Sequence, residues 1–164
     1  MRSNLSSRVL TAAIGFGVVM ALAVPGSALA SDHVRFKARG TGVVAPAMVA
    51  CPAGFTPLSL TGSGRARHLG RYDWVSTECF NFATFVTVGG RFTLTAANGD
   101  TLFGTFSGQA RPTDDPTVFA YHDPGVITGG TGRFAHAAGS VTTSGLANLA
   151  TGEYRGTAGG QLAD

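Results

Sequence analysis

The residues best suited to chemistry lie on one alternating segment, Tyr72–Phe80. In an extended strand, successive side chains point to opposite faces. Continued back to residue 68 without a bulge, one face of this strand carries a histidine, a glutamate and three aromatic rings: His68, Tyr72, Trp74, Ser76, Glu78 and Phe80. The other face carries three arginines and an aspartate, so we expect it to meet solvent while the aromatic face points inward.

An inward acid and base beside aromatic rings could bind or protonate a small ligand. Burial raises the pKa of a carboxyl group, as a general acid requires. In the competing interpretation, Glu78 is solvated at a barrel mouth and His68 caps a turn or bonds a backbone group. A bulge at Gly70 would also turn His68 outward. The candidate ligand-binding residues are His68, Tyr72, Trp74 and Glu78, with Phe92 and Phe106 from other strands.

Motifs for metal, cofactor or nucleophilic chemistry are missing from the sequence. No spacing of His, Cys, Asp and Glu matches a metal site, and there is no Gly-x-Ser-x-Gly elbow. The run Gly129-Gly130-Thr131-Gly132 resembles a phosphate cradle but lacks the lysine of a P-loop and the long helix of a dinucleotide site. We therefore predict no metal and no cofactor, and the catalytic residues stay unassigned.

The first 30 residues have the three parts of a cleavable secretory signal. Arg2 and Arg8 make a positive start, residues 9–24 are apolar, and Pro25-Gly26 precedes an A-x-A site ending at Ala30. The apolar run is shorter than the roughly 20 residues of a membrane-spanning helix. We expect a secreted, extracellular or cell-envelope protein with no stable membrane insertion. The competing interpretation is an uncleaved N-terminal anchor.

Removal of this segment changes the apparent charge of the protein. The whole chain has 12 basic and 9 acidic residues and a formal charge of +3, but Arg2 and Arg8 belong to the signal. Residues 31–164 are then nearly neutral and contain no cluster of basic residues, which argues against a nucleic-acid partner. Their length suits a single domain. The sequence leaves self-association open.

Both cysteines, Cys51 and Cys79, lie in this domain. An even cysteine count in an exported chain predicts a disulfide. The alternative, a reactive thiol, would need an activating partner at each cysteine. Closing a loop of about 28 residues should stabilise the fold by roughly 3–4 kcal/mol, because the crosslink restricts the unfolded chain.

The remaining pattern favours β-structure over helix. No segment after Ala30 keeps a 3.6-residue apolar period, and Asn98-Gly99 between two alternating runs predicts a hairpin with a type I′ turn. We predict a loop at 45–57 and a helical turn at 131–137. Strands are predicted at 33–44, 58–69, 71–80, 84–88, 91–96, 101–110, 117–128, 139–147 and 152–162. Such a meander predicts an all-β, closed antiparallel barrel of about eight strands, with a flat sandwich as the competitor.

One segment has a specific resemblance to known proteins. The run Gly129-Gly130-Thr131-Gly132-Arg133-Phe134, followed by Ala135, Ala138 and Gly139, resembles the G-G-T-G-x-F-x-x-A-x-G segment of plant dirigent proteins. Allene oxide cyclases have a similar corner. Residues 97–100 and 68–70 are similar to segments of exported bacterial proteins with the same barrel.

This resemblance, which covers about residues 58–162, implies an eight-stranded antiparallel barrel with a largely apolar central cavity. The glycines Gly129, Gly130 and Gly132 would form a structural corner, and Phe134 would plug one end of the barrel. The catalytic residues of the plant proteins are not attached to the matched motif, so none is carried over.

Three functions remain open. The first is an exported barrel that binds a small apolar molecule without chemistry. The second is an isomerase or cyclase of the allene oxide cyclase or dirigent type, in which His68, Tyr72 and Glu78 shape or protonate an apolar substrate. The third is a structural or interaction module of the cell envelope, for which a barrel packed solid with side chains would be expected.

Overall fold

The computed structural model describes residues 33–163, which form eight strands and a single 3-10 turn. The strands are β1 (His33–Pro46), β2 (Thr56–Ala66), β3 (Gly70–Asn81), β4 (Val86–Ala96), β5 (Thr101–Pro112), β6 (Val118–Gly130), β7 (Ala138–Asn148) and β8 (Glu153–Ala163), with the 3-10 turn Gly132–Phe134 between β6 and β7. No helix in this range is long and apolar enough to cross a membrane. The signal predicted at residues 1–30 lies outside the described residues.

The strands form a closed antiparallel barrel in which each strand pairs with the next along the chain. The barrel closes where β1 pairs with β8, from His33 opposite Ala163 to Val43 opposite Glu153. Closure satisfies the backbone donors and acceptors that edge strands would leave open. The predicted eight-stranded barrel is confirmed, and the sandwich alternative is wrong.

The two ends of the barrel differ in how they are filled. The closed end carries the turns at 67–69, 97–100 and 131–137, and its core includes Phe36, Leu69, Leu102, Phe134 and Leu162, each at most 3 % exposed. The open end carries the connections at 47–55, 82–85, 113–117 and 149–152. A second, smaller cluster of Phe80, Ala110 and Tyr121 lies toward this end. Phe134 thus plugs one end only.

The glycine-rich corner holds the 3-10 turn against the start of β5. The Thr131 hydroxyl accepts a hydrogen bond from the Thr101 amide at 3.0 Å and lies 2.9 Å from the Thr101 hydroxyl. Arg133 reaches Asp100 at 3.4 Å and lies over the Phe134 ring. These contacts fix the direction in which Phe134 enters the barrel, so the segment Gly129–Phe134 has a structural role here.

The hairpin at Asn98-Gly99 is confirmed, but the predicted type I′ turn is wrong. Gly99 has a φ of +89°, whereas Asn98 is not among the residues with positive φ. The Gly99 amide donates to the Ala96 carbonyl, and the Ala96 amide donates to the Asp100 carbonyl. This is a three-residue loop with a type I turn and a left-handed glycine. The Asn98 side chain bonds Asp100 instead of setting a second positive φ.

The predicted strands at 84–88 and 91–96 are one strand, β4. In the sequence, the pair Gly89-Gly90 predicts the end of one strand and the start of another, but in the barrel it forms a bulge. Gly89 has a φ of +63°, and the register of β4 with β5 shifts between Thr87 and Gly90. A bulge inserts a residue without ending the strand. The count of eight strands depends on this continuity.

The disulfide between Cys51 and Cys79 is present, with 28 residues of sequence separation. Cys79 has the same outward-facing parity on β3 as the exposed Asp73 and Val75, as predicted, and is itself buried. The bond ties the long β1–β2 connection to the open end of the barrel.

Replacing both cysteines by serine should lower the free energy of unfolding by roughly 3–4 kcal/mol, because the unfolded chain regains the entropy of an open loop. Urea unfolding of the Cys51→Ser/Cys79→Ser variant, compared with the oxidised protein, measures this difference. An unchanged unfolding midpoint would show that the crosslink contributes nothing to stability.

Candidate functional site

The barrel encloses a central cavity of about 140 Å³. A cavity needs only about 10–15 Å³ to hold one water molecule, so the volume of this cavity is larger than that of a packing defect. All eight strands contribute inward-facing residues to its wall, and most of these are apolar. The wall includes Leu149, 39 % exposed, in the β7–β8 turn, so the cavity reaches the surface at the open end. That end also exposes Met48 and Phe82.

Five of the six predicted ligand-binding residues line this cavity: Tyr72, Trp74, Glu78, Phe92 and Phe106. The sixth, His68, does not. It lies half-buried in the β2–β3 turn, where Leu69 takes the inward position. Gly70 has a φ of +72°, so the alternation of β3 does not extend back to residue 68. The predicted placement of His68 on the inner face is therefore wrong, because the chain turns at residues 67–69 and the alternation of β3 begins only at Gly70.

Glycines on neighbouring strands make room for the large rings. A side chain at Gly62 would meet the Trp74 indole, one at Gly64 would meet Tyr72, and one at Gly104 would meet Phe92. Tyr121 lies over two glycines in the same way, Gly145 and Gly156. The interior of an eight-stranded barrel is only wide enough for its side chains. Bare backbone beside each ring therefore keeps a cavity open among bulky residues.

Two carboxyl groups share this apolar interior, those of Glu78 on β3 and Asp123 on β6. Burial raises the pKa of Asp123 to about 7. Burial, followed by the nearby charge of Asp123, raises the pKa of Glu78 to about 8. Both groups therefore change charge near neutral pH, whereas exposed carboxyl groups ionise near pH 4.

Asp123 is the more confined of the two, with 7 % exposure and no hydrogen-bond partner for its Oδ1 among the described residues. That oxygen occupies the space in which a side chain at Gly108 would lie. The next residue, Pro124, has no N–H to donate, and the β5–β6 register skips both Asp123 and Pro124. A gap in the ladder thus lies directly beside the unpartnered carboxylate.

Three aromatic rings line the same cavity as these carboxyl groups and pack against one another. Tyr121 and Tyr154 are stacked at 4.6 Å between centroids, and Trp74 lies 5.3 Å from Tyr154. The Tyr121 hydroxyl donates to the Arg155 carbonyl at 3.1 Å. Burial raises the pKa of both tyrosines well above the ordinary value, so they stay neutral at physiological pH.

Asp123, Tyr121 and Tyr154 are site residues that the sequence analysis missed. The alternation Phe119, Tyr121, Asp123 within the predicted strand 117–128 could have revealed the first two, because it repeats the parity of Trp74 and Glu78. His122, on the opposite parity, lies 3.0 Å from the Ser144 hydroxyl on the exposed outer face.

No group of three or more His, Cys, Asp or Glu side chains within residues 33–163 is arranged to hold a metal ion. Comparisons of the chain with family models, with curated proteins and with solved structures find no match. The structure supports the closed barrel that the dirigent and allene oxide cyclase resemblance implies. The family itself stays a prediction.

Gly156 and Gly159 on β8 offer a matched test of the space around Tyr121. An added Cβ at Gly156 would stand 3.0 Å from Cζ of Tyr121 and 2.9 Å from the Ser144 carbonyl oxygen, whereas one at Gly159 would meet nothing within 4 Å. Gly156→Ala should therefore destabilise the fold by about 1–3 kcal/mol, and Gly159→Ala by less than about 0.5 kcal/mol. Urea unfolding of both variants measures the difference. Equal effects would contradict the packing described here.

The raised pKa values predict how stability depends on pH. Above about pH 4 the unfolded carboxyl groups are ionised, whereas in the folded state Asp123 holds its proton up to about pH 7 and Glu78 up to about pH 8. The folded state therefore loses stability as pH rises from about 4 toward these two values. We expect a decline of roughly 1 kcal/mol per pH unit for each group. Glu78→Gln and Asp123→Asn should each flatten the decline.

The control for this measurement is Asp73→Asn, because Asp73 lies on the same strand as Glu78 but on the exposed face. Its pH profile should match that of the unmodified protein. If all three variants retain the full decline, the two interior carboxyl groups are not its source.

Proposed function

We propose that this protein is an exported barrel that binds a small apolar molecule in its central cavity. The observation that carries this proposal is the cavity of about 140 Å³ with a largely apolar wall and an opening at one end. Ligand pockets are typically concave, apolar and supplied with a few polar groups. The Cys51–Cys79 disulfide supports export, since disulfides persist in oxidising compartments.

The arrangement of the wall suggests how such a molecule would lie. The cavity wall toward the closed end includes Phe36, Leu102 and Ile127, all nearly inaccessible to solvent. The polar groups Glu78 and Asp123 lie farther toward the open end on their strands, each flanked on that side by an aromatic residue, Phe80 or Tyr121. An apolar body would fill the inner part, and any polar group would face the carboxyl groups.

The experiment uses Trp74, which lines the cavity and is the one tryptophan in the sequence. A linear alcohol series from 1-hexanol to 1-octanol should change Trp74 fluorescence saturably. Each added methylene should tighten binding about fourfold, from about 0.8 kcal/mol per buried methylene. A complete lack of saturable change, together with no thermal stabilisation, would refute the proposal.

Ala158→Phe and Ala120→Phe form a matched pair for this binding experiment. Ala158 lines the cavity on β8, whereas Ala120 on β6 has the opposite parity to the lining residues Phe119 and Tyr121. We expect Ala158→Phe to weaken 1-octanol binding at least about tenfold by filling the space. Ala120→Phe should leave it unchanged. Equal weakening would place the bound alcohol elsewhere.

A second candidate function is an isomerase or cyclase of the allene oxide cyclase or dirigent type. The observation favouring it is the pair of carboxyl groups whose pKa values lie near 7 and 8 in an apolar cavity. A group with such a pKa can donate a proton at neutral pH. Of the three residues first considered for this mechanism, Tyr72 and Glu78 line the cavity and His68 does not. The structural-module hypothesis expected a solid interior, which the cavity does not favour.

A further inference from the structure

The cavity contains two acidic groups, and the described part of the chain supplies no counter-ion for the charge that they carry once ionised. Glu78 and Asp123 are the acidic residues of its wall. The one basic residue contributing to the wall, Arg39, alternates with the inward-facing Ala38 and Gly40 and is exposed on the outside. Its contact with the interior is a backbone one, because its carbonyl accepts the Tyr72 hydroxyl at 3.3 Å. A buried carboxylate without a partner is unfavourable.

One carboxyl oxygen of Glu78 and Asp123, the Oδ1 of Asp123, accepts no hydrogen bond among the described residues. The Asp123 side chain is 93 % shielded from solvent, and its Oδ1 has no donor among the described residues. The Thr143 hydroxyl, which is nearby, donates to the Asp123 backbone carbonyl at 3.4 Å instead. A bound molecule that carries a donor would satisfy this oxygen. The requirement is independent of the two charges themselves.

The aromatic rings beside the carboxyl groups indicate which kind of hydrogen-bond donor the cavity favours. Tyr121, Tyr154 and Trp74 form a continuous series of rings with centroids 4.6 and 5.3 Å apart. Ring faces attract cations, and the attraction grows when water is excluded. A wall of two carboxyl groups and three electron-rich rings therefore favours a cation over a neutral donor. Two carboxylates without a third ligand make a poor metal site, so the cation is an organic one.

We infer that the molecule held in this cavity is an amphiphilic amine, with an apolar body in the inner part of the barrel and a protonated nitrogen between Glu78 and Asp123. This inference rests on the proposed binding function and specifies its ligand class. The ammonium group has three N–H donors, which suffice for both carboxylates including Asp123 Oδ1. Its positive charge also compensates the repulsion between the two.

The test compares octylamine with 1-octanol, which have the same number of non-hydrogen atoms and differ in charge. Both are titrated into the purified protein at about pH 7.5 and followed by Trp74 fluorescence and calorimetry. We expect octylamine to bind at least about tenfold more tightly. Equal or tighter binding of 1-octanol would overturn the amine inference alone. If neither compound binds, both the inference and the proposed binding function fail.

Charge-neutral variants test whether the preference for octylamine over 1-octanol depends on Glu78 and Asp123. Glu78→Gln and Asp123→Asn should each reduce the ratio of octylamine affinity to 1-octanol affinity by about tenfold or more. The 1-octanol titration of each variant, run in parallel, shows whether the cavity is still formed. Asp73→Asn, on the exposed face of β3, should keep the full preference. A preference that survives in the Glu78→Gln/Asp123→Asn double variant would overturn the assignment of the nitrogen to this pair.

The pH dependence separates a charge-recognising site from one that only accommodates alkyl chains. An alkylammonium stays protonated between about pH 5 and pH 8, like a lysine side chain. Octylamine binding should therefore strengthen over this range as the two carboxyl groups ionise, while 1-octanol binding stays level or weakens. The other titratable groups of the wall, Tyr72, Tyr121 and Tyr154, remain neutral throughout, and His122 faces the outside. Octylamine binding that is flat with pH would overturn the inference.

Discussion

The fold depends on fitting large aromatic rings into a barrel barely wide enough for side chains. Several rings in the interior lie over a glycine on a neighbouring strand, as Tyr72 does over Gly64 and Tyr121 over Gly145. A methyl group at those glycines would collide with the ring or with backbone oxygen. The space that these rings do not fill is the cavity. The same pairing accounts for glycines in the middle of strands, such as Gly62, Gly64 and Gly104.

The two interior carboxyl groups have a different physical status from the rings. Nothing in the packing of the barrel requires Glu78 or Asp123, and their burial makes the folded state less stable once they ionise. An apolar residue of similar size would fill either position without that loss. Groups retained at such a disadvantage are typically used for binding or catalysis. This contrast makes the carboxyl pair, and not the aromatic wall, the most informative feature of the cavity.

Much of the fold could be predicted because it follows from short-range pattern. Alternation identified the strands and the inward face Tyr72–Phe80, and the even number of cysteines predicted the disulfide. Two of the predictions failed at a glycine whose local sequence is compatible with two backbone conformations. Gly89 could end a strand or form a bulge within it, and Gly70 could continue the alternation or break it. Only pairing with neighbouring strands decides between these, because the bulge depends on hydrogen bonds to residues distant in sequence. His68 was misplaced because it lies in the turn 67–69, which the pairing of Ala66 with Gly70 closes.

The sequence by itself determined which side chains share a face of each strand, since that depends only on the two-residue period of the extended backbone. It therefore placed Tyr72, Trp74 and Glu78 together and put Cys79 on the opposite side. It could not determine that Glu78 shares the cavity with Asp123, whose strand is separated from β3 by two others. That encounter arises only when β1 pairs with β8 and the sheet curves into a tube. Closure brings the inner faces of non-adjacent strands within electrostatic range, and the low polarity of the enclosed space then raises both pKa values.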